Sequence, residues 1–93
     1  MEFEWDKSKA AANLKKHGVS FEEAKTVSSN SLAVIFDDEA HSSIDEQREI
    51  IIGHSQQNFL LLISFTERSN AIRIISARLA TRKEREDYER NTF

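Results

Sequence analysis

The sequence predicts an α+β domain with two N-terminal helices, a four-stranded antiparallel sheet and a C-terminal helix. Three observations carry that expectation. Helix-capping residues bracket the N-terminal quarter and recur at Thr81. Between Leu32 and Ala77 the pattern changes to short runs rich in Ile, Leu and Phe with polar residues between them, as in a β-meander. The 93 residues hold no proline, two glycines and no repeat, which leaves no linker and makes residues 1–93 one domain.

Taken in order, "FEW" (residues 3–5) is either a short strand or a hydrophobic anchor. Asp6 is a good N-cap for "KSKAAANLKKH", whose basic last turn precedes Gly18, so a helix is expected over Lys7 to His17. Ser20 and Glu23 form an S-x-x-E capping box with Val19 poised to staple to Ala24, so a second helix starts at Phe21 and ends in the turn cluster at residues 28–31. Strands are expected at 32–36, 48–54, 58–66 and 71–77. Thr81 and Glu84 repeat the box and open a last helix, "RKEREDYER".

Strand parity assigns faces. A turn of two or four residues near Ser69 and Asn70 sets Glu67 opposite Ile72 and Thr66 opposite Arg73. Phe59, Leu61, Ile63, Phe65, Ile72 and Ile74 then form a core face, and Ser64, Thr66, Arg68 and Arg73 share the other face with Leu60, Leu62 and Ile75. A four-residue loop, "SQQN", places Glu49 across from Ser64 on that polar face. Glu67 falls on core-face parity at its strand's end.

Charge is unevenly spread along a chain of net charge −3. Residues 37–49 carry six carboxylates against Arg48, whereas residues 68–85 carry five arginines and Lys83 against Glu84. Such a segment can offer a polyanion a basic face, and it can equally be a solvated run screened by its neighbours. Arg82 and Lys83 oppose the helix macrodipole in a first turn whose free N–H groups favour a phosphate. Absence of cysteine removes disulfides, thiolate metal sites and thiol nucleophiles, and suits a reducing cytoplasm. The N-terminus starts acidic without an apolar segment, so no signal peptide is expected, and "FLLLISF" is too short to span a bilayer.

No dinucleotide, P-loop, zincin or nucleophile-elbow motif is present. His17 reads as a helix C-terminal residue, His54 as a turn or core residue, and Tyr88 as the anchor of the last helix. His41 neighbours Asp37, Asp38 and Glu39 in one loop without ligand-like spacing, so no metal or cofactor is expected.

The segments "EFEWDKSKAAANLKKHGVSFEEAKTV", "FDDEAHS", "IGHS", "TERSNAIRIISAR" and the terminal Y-E helix, covering roughly residues 2–90, resemble the BrnT family, the toxin half of bacterial type II toxin–antitoxin pairs. The resemblance implies a RelE-like fold and a metal-independent ribonuclease that blocks translation. It also implies a BrnA-type antitoxin partner that joins it on operator DNA. Ser28, Ser29 and Asn30 stand where the family pattern has Phe and an acidic residue. Metal-free RNA cleavage needs a base, an acid and cations on the phosphorane-like transition state. Arg73 and Arg78 are the candidates for the scissile phosphate, with Arg68, Arg82, Lys83 and His54 for RNA contacts. The acid–base pair is open among His41, Glu49, Glu67, His54 and Tyr88. The alternative is a non-catalytic antitoxin-binding module that acts as a transcriptional co-repressor.

Overall fold

A computed structural model describes residues 2–90, so both ends of the expected domain lie outside the described residues. The elements are β1 (Glu2–Glu4), α1 (Lys7–His17), α2 (Phe21–Thr26), β2 (Val34–Asp37), β3 (Arg48–His54), β4 (Leu60–Arg68), β5 (Ala71–Leu79) and α3 (Arg82–Glu89). Short 3-10 turns occupy Val27–Ser29 and Glu39–His41. The expected four antiparallel strands are therefore one short of the five-stranded mixed sheet, ordered β1-β5-β4-β3-β2. The extra strand is "EFE", which pairs parallel to β5 with Phe3 beside Ile72.

Both N-terminal helices are capped by the residues that announce them. Asp6 accepts from the Lys9 amide, and Gly18 adopts the left-handed conformation (φ 70°) that returns its N–H to the Leu14 carbonyl. The Ser20 hydroxyl accepts from the Glu23 amide, but the Glu23 carboxylate turns to the Ser55 hydroxyl at 2.7 Å, tying α2 to the β3–β4 loop. Val19, Phe21, Ala24 and Val27 pack against Ile51, Leu61, Ile63, Phe65, Ile74 and Ala77 to form the core, with Trp5 edge-on to Phe21. Asn13 joins α1 to β5 beyond the reach of β1: its buried amide donates to the Val19 and Ala77 carbonyls and accepts from the Ala77 N–H. It thereby satisfies a strand edge that would otherwise be buried without partners.

Two local irregularities set which side chains share a face. The β3–β4 connection is a three-residue loop, Gln56 to Asn58, closed by Ser55 and Phe59, with Asn58 left-handed at φ 67°. The expected four-residue loop is one residue too long, and an odd shift reverses side-chain parity. Glu49 therefore lies opposite Phe65, and Ile50 takes the place across from Ser64. Phe59, expected in the core, is half exposed. The second irregularity is a bulge in β5: Phe65 pairs Ile74 but Ser64 pairs Ser76, so Ile75 is the extra residue. Without it Arg78 would oppose Leu61 on the core face; with it Arg78 opposes Leu62 on the other.

Candidate functional site

The sheet face away from α1 and α2 carries a pocket of about 270 Å³ lined by Asp38, His41, Arg48, Ile50, Leu62, Ser64, Ile75, Ser76 and Arg78. Each element contributes for a local reason. Strand alternation puts Arg48, Ile50, Leu62 and Ser64 on one side of β3 and β4, since Arg48 pairs Thr66 and Ile50 pairs Ser64. The bulge brings Ser76 and Arg78 to the same side. The 3-10 turn after β2 delivers His41, whose Nδ1 lies 2.9 and 3.1 Å from the two oxygens of Asp38. Asp38 is largely buried, with 11% of its side chain exposed, whereas His41 is 68% exposed. A fixed carboxylate so placed favours the tautomer with Nδ1 protonated, which leaves Nε2 as a proton acceptor facing solvent.

Arg78 is held by Glu84 through two hydrogen bonds of 2.7 and 2.9 Å and by the Leu79 carbonyl. These leave the Nε–H and one Nη2–H, side by side on the guanidinium edge, for a second anion. Glu84 also accepts from the Thr81 amide while the Thr81 hydroxyl accepts from the Glu84 amide. The box that starts α3 therefore occupies two of its terminal N–H groups, those of Thr81 and Glu84, and ties the cap of the helix to Arg78. The Arg78 guanidinium holds the Glu84 carboxyl at about 2, and Glu84 in turn raises Arg78.

Of the expected site residues, only His41 and Arg78 line this pocket. Arg73 is on the same face but is drawn toward β1 by Glu4 at 3.1 Å. Arg68 pairs with Glu46 at 3.3 Å, Arg82 with Glu86 at 3.3 Å and Lys83 with Asp87 at 2.8 Å. The basic segment is thus threaded with carboxylates from elsewhere in the chain and from its own helix. Tyr88 anchors α3 by donating to the Leu32 carbonyl at 2.9 Å and by meeting the His54 ring edge-on at 5.8 Å. That contact accounts for His54 as well. Glu49 and Glu67 lie on the opposite face, so neither joins His41.

Arg48 and Asp38 are the residues that sequence reasoning missed. Arg48 alternates in register with Ile50 and Ile52, and it was discernible as soon as the β3 register was right. Asp38, read as one of an acidic run, is distinguished by its position three residues before His41. Leu60 and Leu62, placed by strand parity on the face of the arginines, are buried at 2% and 8%. Among the described residues no group of three or more His, Asp or Glu side chains is arranged to hold a metal ion. No described helix is long and apolar enough to cross a membrane.

The family described as the ribonuclease toxin, BrnT, of type II toxin-antitoxin systems matches residues 5–84. No curated protein matches the chain. Among solved structures, the crystal structure of the Brucella abortus ribonuclease toxin BrnT is similar, with 26% sequence identity and a TM-score of 0.67 over 88% of this chain and 99% of that one. A match across most of the length in both sequence and fold leaves one assignment: the chain belongs to the BrnT family of ribonuclease toxins of type II toxin–antitoxin systems.

Proposed function

We propose that the chain is a metal-independent endoribonuclease that inhibits translation, and that its chemistry runs in the pocket of His41, Asp38, Arg48 and Arg78. The observation that carries this reading is a carboxylate-oriented, solvent-facing histidine sharing one pocket with two arginines. His41 Nε2 takes the proton of a ribose 2′-hydroxyl, and the 2′-oxygen attacks the adjacent phosphorus. Arg48 and the free edge of Arg78 neutralise charge on the non-bridging oxygens. The 5′-oxygen then leaves with a proton from the open, wet pocket. Ser64 and Ser76 supply hydroxyls for the ribose or a neighbouring phosphate. Arg68, Arg73, Arg82 and Lys83 exchange their carboxylates for flanking phosphates, which makes binding salt-dependent.

The partner in this reading is a BrnA-type antitoxin, through which the pair contacts operator DNA, and blocking translation requires action in the cytoplasm. The pairing of the basic side chains with internal carboxylates favours a second reading, a non-catalytic antitoxin-binding module that acts as a co-repressor. Incubating the purified chain with RNA in excess chelator separates the two. Cleavage that survives chelation and disappears in His41→Ala supports the first; intact RNA supports the second.

A further inference from the structure

The core face of the sheet is only partly covered by its helices. Where α2 ends, an apolar groove of about 50 Å³ opens between the helix and the sheet. Its floor is Ile51, Ile63, Phe65 and Ile74, and its mouth is formed by Phe3, Ile72, Ser28 and Ile35. Ile35 is 56% exposed on the edge strand β2. Ser28, exposed in the 3-10 turn, is the small polar residue that leaves the groove unfilled.

The groove has a charged border. Asp37 pairs across from Glu49, Glu49 from Phe65, and Glu67 from Ile72, so three carboxylates on three adjacent strands share the face of the groove. None of the three makes an ion pair among the described residues. Next to the groove, Asp45, Glu46, Glu49, Thr66, Glu67 and Arg68 line a depression of about 300 Å³. Burial, then the charges of Glu67 and Asp37, raise the Glu49 carboxyl.

We infer that this groove and its carboxylate border are a docking surface for a basic amphipathic segment of the antitoxin, one aliphatic side chain filling the groove and a flanking lysine or arginine meeting Glu49 and Glu67. The choice of occupant follows from charge: an apolar anchor beside unpaired carboxylates selects a cationic partner segment and rejects nucleic acid. The placement also leaves the arginine face uncovered by this contact. That the cationic partner is the antitoxin rests on the toxin–antitoxin reading.

The test titrates the purified chain against its antitoxin partner, by calorimetry, with two variants. Ser28→Phe fills the groove from within without touching the arginine face, and Glu49→Gln with Glu67→Gln removes the border charges. Ser28→Phe is expected to weaken binding about tenfold or more with RNA cleavage unchanged. The double variant is expected to weaken it several-fold at low salt, with a shallower salt dependence. Wild-type binding retained in both variants while Arg78→Ala weakens it overturns the groove and places the antitoxin on the arginine face. If the wild-type chain does not bind the antitoxin at all, both the pairing and the groove fail.

Discussion

The two faces of this sheet are built from the same strands but do opposite things with their charges. On the face away from α1 and α2, Arg48, Arg68, Arg73 and Arg78 each sit against a carboxylate, and the arginines lower the Glu46 carboxyl and hold that of Glu84 at about 2. On the helical face, Asp37, Glu49 and Glu67 crowd one another at the rim of an apolar groove, and Glu49 is held above its ordinary range. Paired charges keep a basic surface ordered and ready to exchange one anion for another. Unpaired like charges are a cost that a partner relieves. The difference teaches that net charge along the chain is a poor guide to which surface binds what; face assignment and pairing decide it.

The comparison can be broken most directly at the chemistry. His41→Ala and Arg78→Ala are each expected to slow RNA cleavage by about 10²–10³-fold while far-ultraviolet circular dichroism stays native. If Glu67→Gln matches that loss in the same assay, the reacting site lies on the helical face instead. Next in size is the clamp that holds the helical face together. Asn13→Ala removes three buried hydrogen bonds and orphans the Ala77 amide and carbonyl, so denaturant unfolding should show a loss of about 2–4 kcal/mol.

Smaller, and confined to the arginine face, is the effect of Glu84→Gln, which weakens a bidentate pair and half of a capping box. A loss of about 1–2 kcal/mol is expected, with Arg78 freed and its cleavage contribution altered. The pH dependence follows from the shift. Glu84 titrates at about 2 when folded against an ordinary 4.5, so the unfolded chain takes up the proton first as pH falls. Its contribution is full above 4.5 and is lost toward 2, and stability measured over that window should fall less steeply in Glu84→Gln. Glu49 is the reverse case: the folded state protonates first, so acid relieves its penalty, and Glu49→Gln should raise the neutral-pH unfolding midpoint slightly. Carboxyl NMR titration resolves the two groups individually.

Much of the fold was legible from short-range chemistry. Asp6, Gly18, Ser20, Thr81 and Glu84 cap where their residue types say they should, because an N-cap or a left-handed C-cap is a local solution to unsatisfied backbone groups. The two-residue turn at Ser69 and Asn70 set the lower half of the β4–β5 register as expected, with Glu67 opposite Ile72 and Thr66 opposite Arg73. The parallel pairing of β1 was not legible, since three residues carry no period and their partner strand is some 70 positions away.

By itself, the sequence determined the helices, four of the five strands, and the basic and acidic segments. The tertiary structure decided which of those residues meet. A left-handed Asn58 shortened one loop by a residue, which turned Glu49 away from the polar face and put Arg48 there. The Ile75 bulge turned Arg78 out of the core and onto that same face. Each is a single-residue event that sequence patterns tolerate either way, because alternation has a period of two and one extra residue inverts it for the rest of the strand. What selects between the alternatives is packing on the far side: Ala77 under Asn13 and α1, and Gly53, where a Cβ would come within 2.8 Å of the Ala33 Cβ.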